Sequence, residues 1–264
     1  MLTTDYKDGS PNWVDLGTPH LDGAAGFYTA LFGWDYRPGG EEAGGYAMFQ
    51  LGGRTVAGAM AVAPGEVRSA WTLYFRSSDA DATAAAVVAA GGTVAVAPRD
   101  VMGLGRMAIF ADPAGVTFSI WQPGRIEGLG AVTEVGTLCW TELYTGDVRA
   151  AADFYGAVFG WEIVEMPFEG GAYTAVKAAG TPDEAAFGGI VPIGSDPVED
   201  AERPYWTPYF EVADCDVTAA AAEESGGKVR LSPVFMEGVG RFAKLADPYG
   251  ARFAVIASAA APGA

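Results

Sequence analysis

The sequence predicts an α+β protein built from four βαβββ modules, two in each half of the chain. Glycine accounts for 37 of 264 residues, about twice the ordinary share, which favours tight turns and short strands over long helices. Half of the residues are apolar and only 19% are charged, a composition that excludes both intrinsic disorder and a coiled coil. The third observation is that the chain repeats itself.

The repeat is defined by short motifs that recur at two offsets. At an offset of 127 residues, Trp13-Val14-Asp15-Leu16 recurs as Trp140-Thr141-Glu142-Leu143, Phe27-Tyr28 as Phe154-Tyr155, and Phe32-Gly33-Trp34 as Phe159-Gly160-Trp161. At an offset of 135, Trp71-Thr72 recurs as Trp206-Thr207 and Asp112-Pro113 as Asp247-Pro248. We expect the extra eight residues in longer loops, over Gly180–Ala186 and Gly194–Arg203. The predicted domains are residues 1–127, the first repeat, and 128–264, the second repeat.

Each repeat is predicted to contain two modules of the same plan. In the first module a strand over Asn12–Thr18 precedes a helix over His20–Phe32, with Ala24, Phe27, Tyr28 and Leu31 on one face, and strands follow around Tyr46–Leu51 and Val56–Ala63. The second module has a strand at Trp71–Arg76, an alanine-rich helix at Ala80–Ala90, and strands at Thr93–Ala97, Gly105–Ala111 and Val116–Trp121. The helix ends at Gly91-Gly92, and Asp112-Pro113-Ala114-Gly115 forms the last hairpin turn.

The charge balance limits the possible partners. Sixteen basic residues against thirty-three acidic ones give a net charge of −17 and a pI near 4.3. Such a surface repels phosphate backbones and anionic membranes, so we expect neither nucleic acid nor a membrane as a partner. Met1–Pro11 lacks the apolar core of a signal peptide, and no apolar run approaches the roughly 20 residues of a membrane span. We therefore expect a cytoplasmic protein.

These motifs resemble those of a known family. A βαβββ module whose helix ends with the motif from Phe27-Tyr28 to Gly33, and which has a D-P-x-G hairpin before its last strand, is similar to those of the vicinal oxygen chelate superfamily. Its members include glyoxalase I, extradiol dioxygenases and bleomycin-resistance proteins. The tandem arrangement looks like the two-domain glyoxalase-like proteins of actinobacteria, a group with members labelled "hydroxylase" in anthracycline clusters. The resemblance implies two tandem half-barrel domains that form cups for ligands.

The resemblance also implies where a metal ion would bind, and this sequence departs from the pattern there. Metal-using members take His or Glu ligands from the first and last strands of a module. Those positions carry Trp13, Trp71, Trp140, Trp206, Ser119 and Ala254. Indole offers only an N–H donor and an alanine methyl offers nothing. We therefore predict no metal and no other cofactor.

The residues at these positions suggest an aromatic-lined cup instead. Alternate strand residues share a face, so Asp15 faces as Trp13 does and Glu142 as Trp140 does. These two carboxylates are the candidate catalytic residues. The candidate ligand-binding residues are Trp13, Trp71, Phe75, Ser119 and Tyr46 in the first repeat, and Trp140, Trp206, Phe210, Tyr173 and Arg252 in the second. Alternatively, the tryptophans are packed core, and the carboxylates pair with an arginine such as Arg252.

Three functions follow from this site. The leading hypothesis is a metal-independent protein that binds a small aromatic molecule, or assists the tailoring of an aromatic natural product, as a monomer or homodimer. A second is an enzyme in which Asp15 or Glu142 is a general base, and a third is a degenerate scaffold for a protein partner. Whether the chain is an enzyme, and whether a site lies within one repeat or across both, stay open at this point.

Overall fold

A computed structural model describes residues 1–63, 69–168, 171–195 and 203–259. The first repeat contains the helices α1 (Leu21–Phe32) and α2 (Ala80–Ala89) and the strands β1 (Pro11–Thr18), β2 (Asp35–Arg37), β3 (Ala47–Leu51), β4 (Arg54–Ala61), β5 (Ala70–Arg76), β6 (Thr93–Asp100), β7 (Gly105–Ala111) and β8 (Thr117–Pro123). The second repeat contains α3 (Val148–Phe159) and α4 (Cys215–Glu224) and the strands β9 (Leu138–Thr145), β10 (Glu162–Phe168), β11 (Gly171–Lys177), β12 (Gly188–Pro192), β13 (Tyr205–Glu211), β14 (Lys228–Met236), β15 (Gly240–Ala246) and β16 (Arg252–Ser258).

Each repeat forms one eight-stranded sheet with the same strand order. The first is β2-β3-β4-β1-β5-β8-β7-β6 and the second is β10-β11-β12-β9-β13-β16-β15-β14. Trp13 and Trp140 therefore lie on equivalent strands, and the predicted fold class is confirmed. The short strand β2 was missing from the sequence prediction, because three residues are too few to show a period. Part of the predicted loop Gly194–Arg203 lies outside the described residues.

The helices begin and end where local chemistry requires. Asp79, Asp147 and Asp214 cap α2, α3 and α4, and each carboxylate accepts backbone N–H groups of the first turn. Gly33 and Gly160 end α1 and α3 with positive φ angles of 70° and 69°, which explains the glycine in the repeated Phe-Gly-Trp motif. No helix in the described part of the chain is long and apolar enough to cross a membrane.

The chain forms two compact units, and each unit combines one module from each repeat. The first, which we call the Glu142 unit, contains residues 1–13, 72–128 and 140–207. The second, the Asp15 unit, contains residues 14–71, 129–139 and 208–264. The sequence left open whether modules pair within a repeat or across the two, and these units pair them across. The division into domains 1–127 and 128–264 follows the sequence repeat and stays a prediction.

A buried chain of hydrogen bonds ties the two modules of the Asp15 unit together. The Trp71 indole N–H donates to the Tyr28 hydroxyl over 3.0 Å, and this hydroxyl donates to the Asp247 carboxylate over 3.4 Å. Asp247 also accepts the backbone N–H groups of Tyr249 and Ala251 in its own turn. Tyr28 and Asp247 belong to different repeats, so the repeated Phe-Tyr and Asp-Pro motifs meet here.

The Glu142 unit contains an equivalent chain of hydrogen bonds. Here the tyrosine comes from the second repeat and the aspartate from the first. Trp206 donates to the Tyr155 hydroxyl over 3.2 Å, and Tyr155 donates to Asp112 over 3.3 Å. Burial raises the pKa of both tyrosines well above 10, and the nearby aspartates raise it further, so the hydroxyls keep their protons. In both units the tryptophan, tyrosine and aspartate are less than 9% exposed.

Aromatic rings surround each hydrogen-bonded chain. In the Asp15 unit, Phe210 lies 5.4 Å from the ring centre of Trp71, and Phe253 lies 5.6 Å from that of Tyr28. In the Glu142 unit, Phe75 lies 5.4 Å from Trp206. Edge-to-face and tilted contacts of this kind add to the stabilisation from buried apolar area. The hydrogen-bonded chain is therefore embedded in the hydrophobic core.

We predict that Tyr28→Phe and Tyr155→Phe each lower the free energy of unfolding by about 1–3 kcal/mol, because each leaves a buried indole N–H and a buried aspartate short of a partner. Urea denaturation measures the change. Tyr36→Phe is the matched control, because Tyr36 is half-buried and its hydroxyl bonds to none of the described residues. A loss of unfolding free energy below about 0.5 kcal/mol, equal to that of the control, would show that the Trp–Tyr–Asp hydrogen bonds do not stabilise the fold.

The buried aspartates also predict a pH dependence. Burial raises the pKa of Asp112 and Asp247 above the ordinary 3.8, so these carboxyls bind a proton more tightly in the folded state than in the unfolded state. Their contribution to stability is therefore fully present below pH 3.8 and is lost as the pH rises through the folded pKa. We expect the wild type to lose stability relative to an Asp112→Asn/Asp247→Asn variant between pH 4 and 7. A difference in unfolding free energy between wild type and variant that stays constant over this pH range would contradict the raised pKa of the two aspartates.

Candidate functional site

In the Glu142 unit a carboxylate lies among aromatic hydroxyl and indole groups. The Trp140 N–H donates to the Tyr173 hydroxyl over 3.0 Å, and Tyr173 donates to Glu142 Oε1 over 2.7 Å. The Tyr144 hydroxyl donates to the other carboxylate oxygen, Oε2. Burial and the adjacent Glu142 charge raise the pKa of Tyr173 well above 10. Tyr173 is therefore a donor, and both oxygens of Glu142 are engaged.

A tyrosine pair fills the space beside this carboxylate. Tyr144 and Tyr205 stack with ring centres 5.3 Å apart and an interplanar angle of 23°. Tyr144 lies two residues after Glu142 on β9, so the two side chains project from the same face of the strand. The second repeat therefore carries a hydrogen-bonded version of the predicted site, with two tyrosine rings stacked beside the carboxylate.

In the Asp15 unit the corresponding carboxylate has the corresponding tyrosine. Tyr46 donates to Asp15 Oδ2 over 3.2 Å, and Asp15 is only 3% exposed. Gly58 is the register partner of both Asp15 and Met48. A Cβ atom on Gly58 would overlap the Tyr46 hydroxyl, so only glycine lets the tyrosine cross β4 to the carboxylate. Gly189 plays this part under Tyr173 in the other unit.

The two repeats differ beside the carboxylate. At an offset of 127, Gly17 stands where the second repeat has Tyr144, and at an offset of 135, Ala70 stands where it has Tyr205. The strand partner of Gly17 is Met60, which is 43% exposed, and Ala70 is exposed as well. The first repeat therefore lacks both phenol rings, and Val62 lies beside Gly17: its Cγ1 is 3.2 Å from the position that a Cβ on Gly17 would take. We call the area around Gly17, Ala70 and Met60 the Asp15 gap.

The structure places the other predicted aromatic residues in two settings. Trp13 stacks on Trp121 with ring centres 6.3 Å apart, and the Trp121 N–H donates to the Ile126 carbonyl. Trp71 and Trp206 belong to the buried hydrogen-bonded chains described above. Phe75 and Phe210 are completely buried beside them, so these four side chains lie in the aromatic core.

The structure places Ser119 on β8 and Arg252 on β16. Ser119 is completely buried on β8, in register with Tyr74 and Ile109, and its hydroxyl has no hydrogen-bond partner in the described part of the chain. Arg252 is half-buried at the start of β16 and lines an open groove with Lys228. The structure thus brings together Asp15 with Tyr46, and Glu142 with Tyr173 and Trp140.

The residues at the family's ligand positions do not fit a metal ion. Trp71, Trp140 and Trp206 each donate their indole N–H to a tyrosine hydroxyl, and Trp13 stacks on another indole. Ala254 offers only a methyl group. Within the described ranges, no group of three or more His, Cys, Asp or Glu residues lies close enough together to hold a metal.

Sequence reasoning missed the residues that distinguish the two repeats. Tyr144 and Tyr205 were not singled out, and neither were Gly17 and Ala70. The signal was present, because the two offsets already align each small residue with a tyrosine. Met48, Met60 and the two glycines beneath the tyrosines gave no comparable signal, since their importance depends on strand register.

Comparison with known proteins gives consistent matches. Residues 10–120 match the model of the glyoxalase/bleomycin resistance protein/dioxygenase superfamily, and residues 137–177 match the bleomycin resistance protein-like N-terminal model. The chain is 39% identical to the anthracycline biosynthesis protein DnrV of Streptomyces peucetius, covering 96% of this chain and 94% of that one. It is also 39% identical to CFP32 of Mycobacterium tuberculosis, with 96% of each chain covered.

Solved structures share the fold at low sequence identity. The 2,3-dioxygenase LapB from Pseudomonas sp. KL28 superposes with a TM-score of 0.66 at 13% identity, covering 96% of this chain and 94% of that one. The Mn(II)-bound glyoxalase from Novosphingobium aromaticivorans superposes with a TM-score of 0.63 at 19% identity, covering 94% and 82%.

We predict that Gly189→Ala destabilises the protein by about 1–3 kcal/mol, because the added methyl pushes Tyr173 away from Glu142. In a Tyr173→Ala background the methyl meets no hydroxyl, so the same change costs much less. A double-mutant cycle by urea denaturation measures this coupling. Equal costs of Gly189→Ala in the two backgrounds would contradict the close approach.

Proposed function

The chain belongs to the glyoxalase/bleomycin resistance/dioxygenase superfamily, and from that premise we propose that it binds a small hydroxylated aromatic molecule at the Asp15 gap, without a metal ion. The observation that carries the proposal is the loss of the tyrosine pair. Where the second repeat has Tyr144 stacked on Tyr205, the first has Gly17 and Ala70. A ligand ring in the gap takes the place of those phenol rings.

The side chains at the Asp15 gap suit a flat ring with a hydroxyl group. Met60 and Met48 lie on neighbouring strands, in register with Gly17 and Gly58. Thioethers are flexible and polarisable, and they make favourable contacts with aromatic rings. Asp15 already accepts a hydrogen bond from the phenolic hydroxyl of Tyr46. A carboxylate can accept more than one such bond, so a hydroxyl on the ligand would donate to it as Tyr144 donates to Glu142.

The relatives support a natural-product ligand. DnrV and the protein DauV of Streptomyces sp. strain C5, which is also 39% identical over 96% of this chain, are both named anthracycline biosynthesis proteins. Together with the geometry of the gap, this favours a flat polycyclic ligand with phenolic hydroxyls. Hydroxylated anthraquinones are therefore suitable probes.

We propose binding without a metal because the positions that carry metal ligands in the family hold tryptophan, serine and alanine side chains here. Orientation of the ligand then depends on hydrogen bonding to Asp15 and on contacts with methionine and tyrosine side chains. Such a site can sequester a molecule or present it to another protein. An altered molecule recovered after incubation would show instead that the site catalyses a reaction.

We predict saturable binding of 1,8-dihydroxyanthraquinone, measured by calorimetry and by tryptophan fluorescence, with weaker binding of unsubstituted anthraquinone. Ala70→Tyr restores one ring of the tyrosine pair and should weaken binding at least tenfold by filling the gap. Asp15→Asn should reduce the preference for the hydroxylated probe by about 1–2 kcal/mol, because a charge-assisted hydrogen bond is lost. Unfolding curves for each variant check that the fold is kept.

Ala95→Tyr is the matched control, because Ala95 is also an exposed strand alanine, on β6. It should leave binding unchanged. The absence of saturable binding across a panel of hydroxylated aromatics would exclude the proposal and favour the scaffold hypothesis. Equal loss with Ala70→Tyr and Ala95→Tyr would place the ligand elsewhere. Chromatography of the recovered probe separates binding from turnover, since an enzyme would return an altered molecule.

A further inference from the structure

A groove on the last three strands of the second repeat is rich in positive charge. It lies entirely within the Asp15 unit and has a volume of about 460 Å³. Its walls include Lys228 and Arg230 of β14, Arg252 of β16, and Pro248 and Tyr249 of the hairpin turn. Three cationic side chains therefore line one groove in a protein whose net charge is −17.

Strand register explains how two of these cations come together. Lys228 is paired with Ala246, and Ala246 is paired with Arg252 on the next strand. Directly paired residues of antiparallel strands project from the same face. The Lys228 and Arg252 side chains therefore leave the sheet on the same face, on either side of Ala246. Lys228 is exposed and has no ion-pair partner among the residues that the structure describes.

The first repeat shows that the fold does not require cations at the positions of Lys228 and Arg252. The corresponding row is Thr93, Ala111 and Thr117, with the same pairing. Arg230 aligns with Ala95. Both repeats thus form the same three-strand row around a central alanine, and only the second places cations on it. The pairing of the three strands therefore does not require cations at these positions.

We infer that this groove binds a small anion with two or more negative charges, of the phosphate or carboxylate type. Its volume lies within the range of small-molecule sites, and an arginine matches the geometry of phosphate and carboxylate groups. Tyr249 provides an aromatic wall, whose ring lies 4.8 Å from that of His20. One carboxylate, Asp247, also lines the groove, but it is directed to the N–H groups of its own turn.

This inference is independent of the proposed aromatic ligand. The groove belongs to β14–β16 of the second repeat, whereas the Asp15 gap belongs to β1, β4 and β5 of the first. The acidic surface elsewhere repels anions, so a local positive groove is selective as well as attractive. Binding should weaken as salt is added, because exposed charges are screened.

Calorimetric titration of the full chain with inorganic pyrophosphate and with citrate, at low and moderate salt, tests the inference. The two probes distinguish phosphate from carboxylate recognition. Lys228→Glu should weaken binding at least tenfold, and Arg252→Gln should do the same if its unfolding curve shows an intact fold. Arg149→Glu is the matched control, because it changes the net charge equally at a side chain that is 92% exposed on α3.

The expected result is a loss of binding with Lys228→Glu and less than a twofold change with Arg149→Glu. An equal loss in both variants would show a response to net charge alone and would overturn the inference. Failure of both probes to bind wild-type protein at low salt would overturn it too. Binding of the hydroxylated anthraquinone serves as the readout for the other site, and Lys228→Glu should leave it unchanged.

Discussion

The two Trp–Tyr–Asp chains are the constraint on which the rest of the structure depends. In each, an indole N–H donates to a tyrosine hydroxyl, which donates to an aspartate that anchors a hairpin turn. A buried carboxylate is costly unless it is hydrogen-bonded, so each turn requires the tyrosine of the other repeat. This reciprocal need ties the repeats together and explains why their motifs recur: Phe-Tyr, Trp-Thr and Asp-Pro are the three contributors to each chain.

The duplicated frame allows the two repeats to carry different surfaces. The core side chains are the same type in both, as with Trp71 and Trp206 or Tyr28 and Tyr155. Other sheet positions differ: the half-buried Gly17 corresponds to the buried Tyr144, and the exposed Thr117 corresponds to the half-buried Arg252. None of these four residues belongs to a Trp–Tyr–Asp chain. Chemistry can therefore change at these positions while the hydrogen-bonded chains keep the fold.

The fold was largely predictable from the sequence, and the site was predictable only in part. Repeat offsets and turn motifs were sufficient to predict the modules, because hydrophobic periodicity and glycine placement depend on residues close together in the sequence. Alternation along β5 places Phe75 on the same face as Trp71, but it could not show that this face packs against helix tyrosines, Tyr28 beside Trp71 and Tyr155 beside Phe75. Which face of a strand meets a helix depends on register with strands and helices far along the chain. For the same reason, the sequence could not show that the Tyr46 side chain crosses β4 at Gly58.

The difference between the carboxylates follows from these same constraints. Glu142 receives hydroxyl groups on both oxygens, from Tyr173 and Tyr144, so the protein itself supplies its hydrogen bonds. Asp15 has the Tyr46 hydroxyl, while glycine replaces the second tyrosine. On the proposed function, the Tyr144 ring beside Glu142 marks the position that corresponds to a ligand ring beside Asp15. Under the proposal, one copy of the duplicated site keeps an internal phenol beside its carboxylate, whereas the other receives a phenol from outside the protein.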